Sequence, residues 1–220
     1  MVAPLPHACP LCGGGKGAAW HRDHWRPYWR CAACLLVFVP APFHLDARAE
    51  KAEYDAHDNR VDDPGYRRFL SRLADPVLDR LTPGARVLDF GCGPGPALLA
   101  MLREAGHDAR GYDPFYAPDP APLSGRYDAI TLSEVAEHLA APGAVFRRLW
   151  GLLEPGAFLA VMTKRQTAPE AFARWHYIRD RTHVCFFHDT TVHWLARHLG
   201  GEADLLGPDV FLIRKGGNQA

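Results

Sequence analysis

The sequence predicts an α/β fold in which helices cover a mostly parallel β-sheet, preceded by a small metal-stabilised segment. Three observations support this prediction. From residue 83 onward, short apolar strands alternate with amphipathic helices. Near the end, two predicted strands flank a Gly-Pro-Asp turn, which favours a closing antiparallel hairpin. Residues 1–44 are rich in Cys, Gly, Pro and Trp and are too few to form a hydrophobic core without a staple.

The individual elements follow from hydrophobic spacing and from end signals. Residues 45–82 predict a helical connector, in which a polar, Ala-rich helix precedes a second helix that is kinked or broken at Pro76. In the main domain, 83–220, the expected strands are 86–90, 109–112, 127–132, 157–162, 202–206 and 210–214. The expected helices are 96–104, 142–153 and 189–199, the last capped by Asp189 and ended by Gly200.

The chain carries no net charge, because 25 Lys and Arg residues balance 25 Asp and Glu residues. This balance argues against an extensive nucleic-acid interface, although it leaves a local basic patch open. No apolar run approaches the roughly 20 residues that a membrane helix needs, so no membrane partner is expected. The N-terminus lacks the basic and apolar regions of a signal peptide, which predicts a reducing, cytoplasmic location.

Two Cys-x-x-Cys pairs lie in the N-terminal segment: Cys9 with Cys12, and Cys31 with Cys34. The two-residue spacing lets one tight turn present both sulfurs to a tetrahedral ion, and the gap between the pairs is typical of zinc ribbons. Redox pairs or free thiols are the alternative, but a redox pair usually opens a helix after a strand, which neither pair does. We therefore predict a zinc ribbon over 1–44 whose structural zinc has four sulfur ligands and no open position.

Aromatic residues and arginines lie together between the two cysteine pairs. The rings could form a stacking platform for nucleic-acid bases. The alternative, which the neutral charge favours, is that they pack around the ribbon and against the main domain. The residues concerned are Trp20, Trp25, Tyr28 and Trp29, with Arg22, Arg26 and Arg30.

The stretch from Val87 to Gly95 joins a buried strand to a helix through a glycine-rich turn. Glycines allow the backbone to turn tightly and to approach a ligand closely, and the following helix N-terminus favours a negative group. A dinucleotide site needs Gly-x-Gly-x-x-Gly, but Pro96 stands where the third glycine belongs. The pattern that is present, Asp-x-Gly-x-Gly-x-Gly, begins at Asp89.

This pattern resembles the first motif of the class I S-adenosylmethionine-dependent methyltransferases, and the likeness extends over residues 84–163. It implies a Rossmann-like sheet of the seven-stranded type and a loop that wraps the methionine part of the cofactor, with the first acid facing its amino group. S-adenosylmethionine is then the cofactor and S-adenosylhomocysteine the product. The loop residues assigned to cofactor binding are Asp89, Gly91, Cys92, Gly93 and Gly95. Overall, the chain resembles uncharacterised bacterial methyltransferases that carry an N-terminal zinc ribbon.

A second acid, Asp113, ends the next predicted strand, where a carboxylate can accept both ribose hydroxyls of an adenosine. We assign it to the cofactor site together with the adjacent Pro114. Only a short Pro-rich stretch, 114–126, precedes the following strand, so the third strand of the seven-stranded type is expected to be reduced. Phe115 and Tyr116 are the candidates to cover the adenine.

Further candidates follow the next strand, since ligands of open α/β sheets bind beyond the carboxyl ends of the strands. Residues 127–139 resemble the fourth strand of the family and the acidic segment after it. Ser133 and Glu134 are assigned to the cofactor cleft, and Glu134 is also a candidate catalytic residue. Glu137 and His138 are either part of the site or capping and supporting groups.

An insertion at about 164–188 combines aromatic and polar residues and predicts a substrate lid. Within it, His183 is the candidate general base, because imidazole ordinarily titrates near the working pH. The alternative is a histidine that holds the loop in place through hydrogen bonds.

Three functions are compatible with these features. Methyl transfer to a small-molecule acceptor is the leading hypothesis, since an aromatic lid and a neutral surface favour it. The second is an RNA or rRNA methyltransferase that docks through the zinc ribbon. The third is a non-catalytic module that binds the cofactor, and the intact loop from Asp89 to Gly95 argues against it.

Overall fold

A computed structural model of the chain describes residues 3–4, 7–56, 59–166 and 169–217. The predicted ribbon, connector, main domain and lid each include a few residues outside these ranges. Within the described ranges, every helix is too short or too polar to cross a membrane.

The larger of two sheets forms the main domain. Its strands are β5 (Arg86–Phe90), β6 (Asp108–Tyr112), β7 (Tyr127–Ser133), β8 (Leu153–Met162), β10 (Gly201–Leu206) and β11 (Val210–Lys215). Their order is β10-β11-β8-β7-β5-β6, in which β8, β7, β5 and β6 are parallel. The hairpin of β10 and β11 is antiparallel and joins β8. The predicted Rossmann-like fold and its closing hairpin are therefore confirmed.

Within the part of the chain that the structure describes, the third strand of the seven-stranded type is absent and the sheet has six strands. Between Asp113 and Tyr127 the chain forms only a bridge from Asp113 to Ala117 and a 3-10 turn at Ala121–Ser124. The four prolines of this stretch explain the difference, since proline lacks the amide donor that a sheet ladder requires.

The smaller sheet is antiparallel and draws on two distant parts of the sequence. Its strands are β1 (Ala3–Pro4), β2 (Lys16–Arg22), β3 (Pro27–Cys31), β4 (Val37–Phe38) and β9 (Cys185–Phe186), in that order. Strand β9 belongs to the predicted lid and pairs with β4 of the ribbon. The ribbon and the lid are therefore one structural unit, which the sequence did not predict.

The helices are α1 (Ala47–Asp55), α2 (Pro64–Leu78), α3 (Ala97–Glu104), α4 (Pro142–Leu152), α5 (Pro169–Phe172) and α6 (Asp189–Leu199). Two sequence predictions need correction. Pro76 does not break α2, which ends two residues later at Leu78, although its missing amide removes one backbone hydrogen bond from the helix. The cap of α6 is His188, whose Nδ1 accepts the Thr190 amide at 3.1 Å, whereas Asp189 turns away to pair with Arg165. Gly200 ends α6 in the left-handed conformation, as predicted.

Two hydrophobic clusters lie on the two faces of the main sheet. Helices α2 and α3 cover one face. The other face packs against α4 and α6 and also against the ribbon, so that Leu11 and Tyr28 share one core with Phe146 and Phe187. A Cβ on Gly143 would lie 2.1 Å from the Leu11 carbonyl oxygen, which shows how closely α4 approaches the ribbon. The boundaries at residues 44 and 82 stay predictions.

Candidate functional site

A cleft lies where β5, β6 and β7 end together. The connection after β5 leads to β6 on one side of β5, and the connection after β6 leads back to β7 on the other side. Such a reversal of strand order is the topological switch point at which open α/β sheets bind ligands. The glycine loop begins here. Gly91 and Gly93 have φ values of +77° and +66°, which disfavour any other residue. The Gly91 amide donates to the Tyr112 carbonyl at 2.7 Å and ties the loop to β6.

Asp89 is buried at the base of this loop. It lies on β5 opposite Gly111 of β6 and Thr131 of β7. The Thr131 hydroxyl donates to Asp89 Oδ1 at 2.8 Å. Burial raises the pKa of Asp89 to about 7, and the nearby Asp113 carboxylate adds to the shift. The fold thus keeps a carboxyl group in the cleft at a desolvation cost, which is a common property of binding sites.

Asp113 organises the glycine loop from the neighbouring strand. Its Oδ2 accepts the Gly93 amide at 3.0 Å, and its Oδ1 accepts the amides of Phe115 at 2.8 Å and Tyr116 at 3.1 Å. A carboxylate offers about four acceptor positions, so one position remains for a ligand, which is enough for one ribose hydroxyl and not for the expected two. Asp113 therefore lies in the predicted place, with a loop-organising role that sequence reasoning missed.

The other predicted loop residues occupy different surroundings. A Cβ on Gly95 would lie 1.5 Å from the Asn59 carbonyl oxygen, so the chain after α1 crosses directly over the loop. The Cys92 sulfur packs against Gly111, and burial raises the pKa of its thiol to about 12. Pro114 is exposed at the rim. Cys92 thus packs the glycine loop against β6.

Helix α1 covers the short segment that replaces the third strand. The Tyr116 hydroxyl donates to Asp55 at 2.6 Å, and Lys51 lies 4.8 Å from the Tyr116 ring centroid. Phe115 contacts Tyr54 with a ring separation of 5.9 Å. The candidate adenine-covering rings are therefore positioned by α1, and the predicted connector forms part of the cleft wall.

Glu134 follows β7 directly, after the half-buried Ser133. Its φ of +51° is unusual for a residue with a side chain, and such strain is concentrated at functional sites. Its amide donates to the Met162 carbonyl of the adjacent strand at 2.8 Å. Its Oε1 is buried and has no hydrogen-bond partner among the described residues. Burial raises the pKa of Glu134 to about 7.

Glu137 and the lid meet beside Glu134. The Tyr177 hydroxyl donates to Glu137 Oε1 and lies 3.1 Å from the Thr163 hydroxyl. Glu137 is fully buried, and this burial raises its pKa to about 8. Glu137 and Tyr177 therefore connect the end of β7 to the lid.

His183 lies in the lid beside the segment that follows β7, and only 7% of its surface is exposed. Its Nδ1 is 2.8 Å from the Tyr177 carbonyl oxygen, which assigns the Nδ1 proton to that bond. Its ring lies 4.7 Å from the His138 ring, and its Nε2 is 3.6 Å from Asp180 Oδ2. The structure thus brings His183 close to His138 and Glu137, although His183 lies more than 40 positions after them in the sequence.

The four ribbon cysteines also converge. The Sγ atoms of Cys9 and Cys34 are 3.5 Å apart, as are those of Cys12 and Cys31, and all four lie within 4.8 Å of one another. Sulfur ligands about 2.3 Å from a tetrahedral zinc ion are separated by roughly 3.8 Å. The Gly14 and Ala33 amides point at the sulfurs of Cys12 and Cys31. This donor set fits a zinc ion.

Arg26 connects the ribbon to the lid and was not singled out from the sequence as a site residue. Its guanidinium is buried and donates to the carbonyls of Arg181 and Asp180 at 2.7 Å each, and of Ile178 at 3.2 Å. Its Nε also donates to the Tyr28 hydroxyl at 3.0 Å. The lid segment that carries His183 is therefore held from the ribbon side.

Most of the ribbon aromatic residues pack inward. Tyr28 is fully buried against Phe172 of the lid, and Trp20 contacts the same ring edge-on. Trp25 is the exception, with 61% of its surface exposed beside Arg181. Tyr28 and Trp20 therefore pack around the ribbon and against the lid, as the second of the two sequence interpretations expects, and do not form an exposed stacking platform.

Comparison with known proteins places these features in context. Residues 62–204 match a family described as a methyltransferase domain. The chain is 31% identical to the ubiquinone biosynthesis O-methyltransferase of Xanthomonas campestris, in an alignment covering 41% of this chain and 47% of that protein. It thus spans about half the length of the curated relatives it matches.

Solved structures share the fold at low sequence identity. One is the 1,6-didemethyltoxoflavin-N1-methyltransferase of Burkholderia thailandensis with bound S-adenosylhomocysteine, at 19% identity and a TM-score of 0.53, covering 90% of this chain and 100% of that chain. Another is CalO1, a methyltransferase in calicheamicin biosynthesis, at 14% identity and a TM-score of 0.52, covering 78% of this chain and 59% of that chain.

Proposed function

Because the chain belongs to this family of methyltransferase domains, we propose that it transfers a methyl group from S-adenosylmethionine to a small-molecule acceptor. The observation that carries the proposal is the glycine loop at the switch point, with Asp89 beneath it and Asp113 bound to its backbone. Gly93 offers room for a ligand, since a Cβ there would meet no described atom within 4 Å. The 1,6-didemethyltoxoflavin that is also bound in the similar Burkholderia thailandensis structure, and the names of the curated relatives, support a small acceptor.

The reaction is a direct displacement in which the acceptor nucleophile bonds to the methyl carbon while the carbon–sulfur bond breaks and its electrons stay on sulfur. The residues of the chain align the partners, exclude water and remove the acceptor proton. Two predicted catalytic residues can accept that proton. Glu134 has a pKa near neutrality, and His183 has its Nδ1 proton committed to the Tyr177 carbonyl, which leaves Nε2 as the basic nitrogen.

A structural zinc ion bound by Cys9, Cys12, Cys31 and Cys34 is part of the proposal. Its role is to hold the ribbon against the lid, since four thiolates leave no open position. Such a site needs reduced cysteines, which supports a reducing compartment such as the cytoplasm.

An RNA acceptor is the second candidate function. The exposed Trp25 beside Arg181 is the feature that favours it, since an exposed aromatic ring next to a cation can stack on bases. The burial of Tyr28 against the lid and the absence of net charge favour the small-molecule acceptor. An RNA affinity that falls steeply with salt would select the RNA enzyme. A non-catalytic module is eliminated by sustained production of S-adenosylhomocysteine with any acceptor.

Calorimetric titration of S-adenosylhomocysteine tests the cofactor site. We expect the wild type to bind and Asp113→Asn to bind at least about 10-fold more weakly, because a charge-assisted hydrogen bond contributes about 1.5–3 kcal/mol. Asp119→Asn is the matched control, since Asp119 is exposed in the same segment and only accepts the Ala121 amide. Equal affinities of wild type and Asp113→Asn would contradict the assignment, and absence of binding by the wild type would remove the proposed function.

The raised pKa of Asp89 predicts a pH dependence of stability in the cofactor-free protein. The carboxyl has an ordinary pKa of 3.8 and a folded-state pKa of about 7, so the folded state holds the proton more tightly. The free energy of unfolding should therefore fall as the pH rises from about 4 to about 7. Asp89→Asn cannot ionise and is expected to melt above the wild type at pH 8, with no advantage below about pH 4.

Melting curves across this pH range check the prediction. Asp108→Asn, a change at an exposed position on the adjacent strand, should follow the wild type. A lower melting temperature for Asp89→Asn at pH 8 would show that the buried carboxylate stabilises the fold. Asp89→Asn should also bind S-adenosylhomocysteine more weakly, because the family resemblance implies that the Asp89 carboxylate faces the amino group of the ligand.

A further inference from the structure

A second group of potential metal ligands lies where the lid meets the cleft. Glu137, His138 and His183 each offer one ligand atom, and these atoms lie within 4.8 Å of one another. Glu137 is fully buried and His183 is 7% exposed. We propose that these three residues bind one divalent transition-metal ion, in addition to the zinc of the ribbon.

The carboxylate of Glu137 is the first argument for a bound cation. Its Oε1 accepts the Tyr177 hydroxyl, but its Oε2 is buried without a hydrogen-bond partner among the described residues. Leaving a buried polar atom unsatisfied costs on the order of 1–3 kcal/mol, and more for a charged group. A metal ion at Oε2 satisfies this atom, while Tyr177 fixes the orientation of the carboxylate.

The surroundings of His183 are the second argument. Metal-bound histidines almost always donate their other ring N–H to a carbonyl or a carboxylate, which fixes the tautomer. Nδ1 of His183 is 2.8 Å from the Tyr177 carbonyl oxygen, so Nε2 is the ligand atom. Nε2 also lies 3.6 Å from Asp180 Oδ2, which is an ion-pair distance when the ring is protonated, so metal binding would replace this contact with a bond to the ion. Tyr177 therefore orients two of the three ligands, one through its hydroxyl and one through its backbone.

The donor set defines the class of ion. Two imidazoles and one carboxylate suit Zn²⁺, Fe²⁺, Co²⁺ or Mn²⁺, whereas Mg²⁺ and Ca²⁺ prefer oxygen ligands throughout. Metal–ligand bonds of about 2.0–2.2 Å place tetrahedral ligands roughly 3.4 Å apart, and the ligand atoms of the three residues lie within 4.8 Å of one another. Three protein ligands leave at least one coordination position open.

The consequence for methyl transfer rests on the proposed function, unlike the metal site itself. An acceptor hydroxyl at the open position has its pKa lowered, which favours an oxygen nucleophile. In this arrangement Nε2 of His183 is a ligand and no longer available as a base. Glu134 then remains as the proton acceptor.

Binding of Co²⁺ to the 220-residue chain tests the site. The protein is purified with its ribbon zinc, titrated with CoCl₂ in a calorimeter, and then analysed for both metals. We expect one Co²⁺ to bind per chain with no loss of zinc, and with an absorption spectrum that lacks thiolate-to-cobalt charge transfer. No methyl transfer is measured, so failure of this experiment and failure of the proposed function are distinguishable.

Four variants localise the ion. Glu137→Gln and His183→Gln should each weaken Co²⁺ binding by more than about 100-fold, and Tyr177→Phe by about 10- to 100-fold, which is the usual loss when a group that orients a ligand is removed. His193→Gln changes an exposed histidine of α6 and should bind Co²⁺ like the wild type.

Three outcomes would overturn the proposal. They are a wild type that binds no Co²⁺ beyond the ribbon, Co²⁺ uptake accompanied by zinc release, and Glu137→Gln and His183→Gln that retain the wild-type affinity. Melting curves of each variant identify any that fails to fold, and the remaining ligand variant then decides.

Discussion

Gly91→Ala is expected to bind S-adenosylhomocysteine at least about 10-fold more weakly than the wild type does. Gly91 has a φ of +77°, which costs an L-residue about 1–2 kcal/mol. An added Cβ would also lie 2.5 Å from Cγ2 of Val135. Overpacking of this kind typically costs about 1–3 kcal/mol, which is roughly a 5- to 150-fold change in a binding constant when it falls on the bound state. Calorimetry of the purified variant measures the change directly.

The clash reaches both sides of the cleft. Val135 follows Glu134, whose own backbone is already strained at a φ of +51°. Moving Val135 to accommodate a methyl group therefore displaces the acidic segment after β7 as well as the glycine loop. The loss of affinity should exceed what the local backbone strain alone would cause.

Gly106→Ala separates backbone strain from damage to the site. Gly106 has a φ of +88° at the end of α3, and a Cβ there meets no described atom within 4 Å. This variant should lose only the stability that the backbone strain costs and should bind S-adenosylhomocysteine like the wild type. If Gly91→Ala bound the ligand as tightly as Gly106→Ala, the glycine loop would not be the cofactor cradle.

The main sheet could be predicted from the sequence because its signals are local. Strand β5 matches the predicted bounds, and β6, β7 and the closing hairpin differ from prediction by a residue at an end. Each of these strands is a short apolar run bounded by glycine, proline or charged residues. The glycine loop and Asp113 could be placed for the same reason, since adjacent parallel strands end at the same edge of a sheet.

The remaining features depend on contacts between distant residues, which periodicity does not encode. Arg26 resembles any other arginine of the ribbon, and its burial becomes evident only when the lid carbonyls surround it. The pairing of β4 with β9 joins residues about 150 positions apart. The dual role of Tyr177 in holding Glu137 and His183 likewise has no local signature.

Cys34→Ser is expected to abolish zinc binding by the ribbon and to lower the melting temperature by at least about 10 °C. Structural zinc sites contribute several kcal/mol to folding, and each kcal/mol corresponds to roughly 2–4 °C in a chain of this size. The ribbon has no alternative core of its own, since its buried residues are continuous with those of α4 and the lid. Elemental analysis and a melting curve measure the two effects, and a chelator should reproduce the second.

Cys185→Ser is the matched control for this change. Cys185 is also buried, but its sulfur donates to the Leu139 carbonyl at 3.3 Å, a hydrogen bond that a serine hydroxyl can keep. We expect this variant to retain zinc and to melt close to the wild type. A Cys34→Ser protein with full zinc content and an unchanged melting temperature would refute the zinc site.

The zinc variant should also separate methyl transfer from cofactor binding. The ribbon holds the lid through Arg26 and through the pairing of β4 with β9, whereas the glycine loop contacts β6 and the chain segment after α1. Loss of zinc is therefore expected to reduce the rate of methyl transfer while the affinity for S-adenosylhomocysteine stays near that of the wild type. In Gly91→Ala, by contrast, the affinity for S-adenosylhomocysteine itself is expected to fall. Equal losses of both properties in Cys34→Ser would mean that the ribbon stabilises the whole fold and has no specific role in positioning the lid.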